Sequence, residues 1–149
     1  MKMKLLASSL LLALGLIAPN SLHSEQSFGN YEGAVYVRNY DGDTITFNLP
    51  KLHPIIGKKI SIRVNGIDTP EIKGRCEKEK YDAHQAQQMV ADILKDAEQI
   101  TLKNMKRGKY FRIATDVIVD GENLGNMLVE AGIAVKYSGK KKTHQWCQK

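Results

Sequence analysis

The sequence predicts a small, mainly β α+β domain: a five-stranded Greek-key barrel of OB type with one long and one short helix. Three observations carry this. Five short runs alternate apolar and polar side chains and are punctuated by turn residues. One longer run spaces its apolar residues as a helix does, and a short stripe of the same kind stops at a glycine. The 149 residues allow one domain with enough length to bury a core.

Taken in order, Glu25 to Glu32 is polar and reads as a loose lead-in. Val35 and Val37 alternate with Tyr36 and Arg38, the period of a half-buried strand. Asp41-Gly42 is a tight-turn dipeptide, and Ile45, Phe47 and Leu49 alternate behind it, so the two runs form a hairpin. Leu52 to Gly57, with Pro54, reads as a loop. Ile60, Ile62 and Val64 line one face of a third strand, which leaves Arg63 on the face away from the core-directed aliphatics.

A charged loop follows at Lys73-Gly74-Arg75-Cys76-Glu77-Lys78. Ala86, Met89, Val90, Ile93, Leu94 and Ala97 then share one side of a helix. Ile100 and Leu102 begin a fourth strand turned by Arg107-Gly108, and Ile113, Thr115, Val117 and Val119 face one way on a fifth. Leu124, Leu128 and Ala131 form the short helical stripe, with Gly132 placed to end it. There is no repeat, low-complexity segment or internal linker.

The chain opens differently. Lys2 and Lys4 precede an apolar run from Leu5 to Ile17, broken by Ser8, Ser9 and Gly15, and Pro19, Asn20, Ser21 and Ser24 follow. That is the layout of a signal peptide over residues 1–24, with residues 25–149 as the domain. A cut nearer Ala18 or Ser21 is the alternative. The run is shorter than the roughly 20 residues a membrane-spanning helix needs. Its removal takes two lysines and no acid, lowering the formal charge from +6 to +4. A basic exported domain suits a polyanionic partner. In an oxidising compartment Cys76 and Cys147 read as one disulfide, with a free thiol or a metal-ligand pair as the rival readings.

The chemistry is concentrated in Arg63-Val64-Asn65-Gly66-Ile67-Asp68-Thr69-Pro70-Glu71, with Asp41-Gly42-Asp43-Thr44 a short way upstream. Phosphodiester hydrolysis needs cations to neutralise developing charge, an activated water and a group to orient it. Asp43 and Asp68 lie at the ends of turn and strand, off the apolar stripes, and their hard oxygens favour Ca²⁺ or Mg²⁺ over zinc. Alone, each turn is an ordinary capped loop and Arg112 an ordinary solvated arginine. The combination with Arg63 is what points to a site.

In the order and spacing of Asp41-Gly42-Asp43-Thr44, of Arg63 before Asp68-Thr69-Pro70-Glu71, and of Lys109-Tyr110-Phe111-Arg112, the chain resembles the thermonuclease (staphylococcal nuclease-like) family from about Gly33 to Tyr137. The resemblance implies an OB-fold, calcium-dependent nuclease that cleaves DNA and RNA at the 5′ P–O bond and leaves 3′-phosphates. It implies Asp43 and Asp68 as Ca²⁺ ligands through carboxylates and Thr69 through its carbonyl, with Asp41 a neighbouring acid. Glu71 matches the residue that activates the water, Arg63 and Arg112 match the two arginines on the scissile phosphate, and Lys109 and Tyr110 fall at the substrate pocket. Phe111 departs from the pattern by replacing a glycine, Tyr137 lies one position off a second pocket tyrosine, and no counterpart of the longer relative's C-terminal helix is expected.

Among the remaining basic residues, Lys73, Arg75, Lys78 and Lys80 flank the active loop as candidate phosphate contacts, while Lys140-Lys141-Lys142 reads as a solvated tail, with a contact to nucleic acid as the alternative. Trp146 reads as packing, and His53, His84 and His144 show no ligand spacing. The expectation is thus an exported monomeric nuclease, periplasmic or secreted, without stable membrane association once the leader is removed. A nucleic-acid-binding OB module without catalysis, or a calcium-stabilised interaction domain, is the alternative.

Overall fold

The five alternating runs become the five long strands of one mixed sheet; of four two-residue strands among the described residues, two join that sheet and two pair with each other. The computed structural model describes residues 26–108 and 112–147. The expected signal peptide, and Lys109, Tyr110 and Phe111, lie outside the described residues. In chain order the elements are β1 (Tyr31–Glu32), β2 (Val35–Asn39), β3 (Thr44–Asn48), α1 (Pro54–Gly57), β4 (Ile60–Val64), β5 (Ile67–Asp68), α2 (Glu77–Asp96), β6 (Ile100–Arg107), β7 (Ile113–Val119), β8 (Glu122–Asn123), α3 (Leu124–Glu130) and β9 (Val135–Lys136).

The sheet runs β1-β6-β7-β4-β3-β2 and curls as a half-barrel, an OB-like α+β fold. Neighbours are antiparallel except β4 and β7, which pair in parallel with Arg63 opposite Ala114. β3 lies on the other side of β4 with Thr44 opposite Arg63, so β4 is central and carries Arg63 between two partners. The inward face is apolar. Ile45, Phe47, Ile62, Leu102 and Val117 are fully buried, and Val90 of α2 and Leu124 and Leu128 of α3 close over them. Each such side chain stabilises the fold by about 1.5–3 kcal/mol relative to exposure.

Both longer helices begin on side-chain caps. The Cys76 sulfur accepts from the Glu79 N–H at 3.4 Å to start α2, and the Asn123 side chain accepts from the Asn126 N–H at 3.1 Å to start α3. Glu77 and Glu79 in the first turn of α2 complement its positive end. Gly132 takes a φ of 74° just past α3, and the following N–H groups of Ile133 and Ala134 return to the Leu128 carbonyl. No helix among the described residues is long and apolar enough to cross a membrane.

Three expectations need correction. Val35 and Val37 are exposed, and the inward residue of β2 is Tyr36, packed edge-on against Phe47 with ring centres 6.4 Å apart. β2 is an edge strand with a bulge between Tyr36 and Arg38, so its alternation does not report a buried face. The lead-in is not loose throughout: Tyr31 is buried, pairs with Leu102, and its hydroxyl accepts from the Lys51 N–H at 2.8 Å. The loop around Pro54 contains the single turn α1, capped by His53, whose ring nitrogen accepts from the Ile55 N–H.

Candidate active site

The turn between β2 and β3 is closed by Asp41, whose Oδ1 accepts from the N–H groups of Asp43 at 3.0 Å and Thr44 at 2.7 Å. Gly42 is required there by contact. A Cβ at this position would stand 2.8 Å from Thr69 Cγ2 and 3.0 Å from Ala86 Cβ. The turn is therefore pressed against the strand end that carries Asp68 and Thr69, and the Thr69 N–H donates to Asp43 Oδ2 at 3.3 Å. Asp43 and Asp68, distant in sequence, become neighbours in this way.

Arg63 joins them. Its Nη1 lies 2.5 Å from Asp43 Oδ1 and its Nη2 3.6 Å from Asp68 Oδ1. Both carboxylates are 3% exposed, whereas the guanidinium opens towards a cleft of about 550 Å³. Glu71 and Arg112 line the same cleft, with Tyr40 and Tyr137 among its walls. Arg112 arrives through the parallel pairing of β7 with β4. The expected site residues Asp43, Arg63, Asp68, Thr69, Glu71 and Arg112 thus meet at one end of the half-barrel.

A family model of staphylococcal nuclease homologues matches residues 61–148. The chain belongs to that family. No individual curated protein matches it. The matched span of this staphylococcal nuclease homologue includes Arg63, Asp68, Thr69, Glu71 and Arg112, and begins after the turn that holds Asp41 and Asp43. The family is typically one of nuclease hydrolases and generally uses Ca²⁺, so nucleic acid is the substrate class it implies.

Electrostatics mark the centre of the site. Burial, with the charge of Asp41 beside it, pushes the Asp43 carboxyl up to about 7 against the opposing pull of Arg63. Burial also raises Asp41, against the backbone N–H groups of Asp43 and Thr44. Asp68 Oδ1 is buried without an aligned hydrogen bond among the described residues, although two cations stand near it. Packed, desolvated carboxylates that already draw cationic side chains to Asp68 Oδ1 suit a hard divalent ion, and the oxygen-only set of Asp43, Asp68 and Thr69 fits Ca²⁺.

Several residues reach the site that the sequence reading placed elsewhere or did not single out. Lys142, read as part of a solvated tail, puts its Nζ 2.7 Å from Asp68 Oδ1 and 2.7 Å from Glu71 Oε1. Burial works against its charge, but its contacts with Asp68 and Glu71 outweigh that and raise its pKa. Trp146, read as packing, donates from Nε1 to Asp68 Oδ2 at 3.4 Å and meets the His144 ring edge-on. Glu79 is buried in the first turn of α2, where its carboxylate accepts from the Glu71 N–H at 3.4 Å and the Arg75 N–H at 2.8 Å. It anchors the loop that carries Glu71.

The disulfide joins Cys76 to Cys147 beside Glu79, and the Cys147 sulfur lies 3.3 Å from Glu79 Oε2. No cysteine is free, which removes the free-thiol and metal-ligand readings. Lys78 and Lys80, expected as phosphate contacts, pair with Asp82 and Glu77 on the surface of α2.

Proposed function

We propose that the chain is an exported, calcium-dependent nuclease that hydrolyses phosphodiester bonds of DNA and RNA with little sequence preference. It acts as a monomer in the periplasm or outside the cell, the export reading resting on residues 1–24. The observation that carries the nuclease reading is Arg63 set between two buried carboxylates at the wall of a cleft that Glu71 and Arg112 also line.

The roles follow from the chemistry of each group. The guanidinium groups of Arg63 and Arg112 take the non-bridging oxygens of the scissile phosphate, where planar forks with permanent charge stabilise the transition state better than lysine could. Glu71, on the open side of the site, accepts a proton from the attacking water or orients it. The new bond forms between that oxygen and phosphorus as the bond to the 5′-oxygen breaks. The leaving oxygen takes up a proton and the phosphate stays on the 3′ side. Asp43 and Asp68 through carboxylates, and Thr69 through its carbonyl, would hold Ca²⁺, which supplies Lewis-acid stabilisation of phosphate charge. Lys109 and Tyr110 act in substrate binding, on the family resemblance.

Purified domain 25–149, incubated with plasmid and with single-stranded DNA in Ca²⁺ or in chelator, tests the reading. Cleavage in Ca²⁺ that stops in chelator is the expected result. Binding without cleavage in Ca²⁺ would instead make the domain a non-catalytic nucleic-acid-binding module.

A further inference from the structure

The C-terminal strap reaches the site by a defined route. β9 pairs antiparallel to β5, with Val135 opposite Asp68, and the Tyr137 N–H donates to the Gly66 carbonyl at 2.8 Å. Beyond it the chain crosses the mouth of the cleft, which Ser138, Gly139 and Lys142 help to line, and reaches the disulfide at the start of α2. Between these two fixed points Lys142 sets one ammonium against Asp68 and Glu71, and Trp146 fixes the other oxygen of Asp68.

We propose that Lys142 is a tethered competitor for the divalent cation: its ammonium holds the Asp68–Glu71 carboxylate pair, and the Cys76–Cys147 bridge keeps it there. The inference rests on the cation reading of the site given above. An ammonium at 2.7 Å from Asp68 Oδ1 occupies an oxygen that the divalent ion would use, and a divalent ion brought to contact with the same oxygen would repel it strongly. Binding of the divalent ion therefore requires Lys142 to swing into solvent, towards which its side chain is already 45% exposed. The chain thereby sets a threshold concentration of cation below which its own lysine occupies the carboxylates.

Calorimetric titration of the metal-free protein with Ca²⁺ tests this without using activity. Lys142→Met should bind Ca²⁺ about tenfold more tightly than the unsubstituted protein, and Lys142→Arg, which keeps the charge, should recover most of the difference. A Cys76→Ser/Cys147→Ser variant, checked for folding by circular dichroism, should shift towards the Lys142→Met value. Equal affinities for unsubstituted protein and Lys142→Met would overturn the competition while leaving the calcium reading intact. Absence of Ca²⁺ binding in both would overturn the two together. Cleavage by the unsubstituted protein in chelator, lost in Lys142→Met, would make the ammonium a substitute for the metal and also overturn the proposal.

Discussion

The guanidinium of Arg63 meets the buried carboxylate of Asp43 at 2.5 Å, and this contact binds the central strand β4 to the turn before β3. Asp43 has little access to water, so Arg63 both partners it and presents charge to the cleft.

Removing that partner should therefore cost stability as well as turnover. Arg63→Ala is expected to lower the unfolding free energy by about 1–3 kcal/mol, the scale for removing a buried group's partner, since Asp43 can take up a proton in its absence. Arg63→Lys should lose less than half of that. Both should reduce turnover by about 100-fold or more, since a lysine cannot offer the two-pronged contact. Urea denaturation and a plasmid-cleavage assay read the two effects, and an Arg63→Lys enzyme of full activity would contradict the phosphate role.

Glu71 and Glu79 should separate cleanly. Glu71→Gln should lose turnover and keep most of its affinity for nucleotide; equal losses of both would mean a structural role. Glu79→Ala leaves the Glu71 and Arg75 N–H groups without their acceptor. It should cost about 1–3 kcal/mol of stability and lower kcat through misplacement of Glu71. Gly74→Ala should resemble it, because a Cβ there would lie 2.6 Å from Glu79 Cδ.

The metal-free protein should become less stable as pH rises. The Asp43 carboxyl is pushed up to about 7 by burial and by Asp41, above the ordinary value of 3.8 that it regains on unfolding. Between those values the folded state holds a proton that the unfolded chain has released, so unfolding is favoured progressively as the pH rises. The stabilising contribution is complete below about pH 4 and lost through about pH 7. Thermal melts in chelator should show this slope, and Asp43→Asn should flatten it.

Opening the Cys76–Cys147 bridge should destabilise the domain by about 2–4 kcal/mol, given the 71-residue separation it spans. It should also free the strap. Trp146 is the only tryptophan, so its emission reports the strap directly and should move to longer wavelength on treatment with a dithiol reductant. An unchanged spectrum would show that the strap stays in place without the bridge.

What was legible in the sequence follows local physics. Ile45, Phe47, Ile62 and Val64 announce β3 and β4 because both strands bury one face, and the stripe from Ala86 to Leu94 announces α2 for the same reason. β2 misleads because an edge strand with a bulge owes its faces to its neighbours. Asp43, Arg63, Asp68 and Glu71 stand out because turn chemistry and strand alternation display them. Lys142, Trp146 and Glu79 do not. The first two reach Asp68 only because β9 returns along β5 and the bridge draws the tail inward. Glu79 looks like any acid in a first helical turn until the loop folds over it.

The parallel pairing of β4 with β7 also bears on when the cleft comes into being. Parallel strands cannot be neighbours in the chain, and here α2 and β6 lie between them. Arg63 and Arg112 are therefore brought to one wall by a long-range event that pays its loop-closure entropy before any contact rewards it. A chain with its first hairpin and α2 in place would still present only one arginine. Activity recovered on refolding should consequently trail the return of helical signal, its rate set by the docking of a single strand.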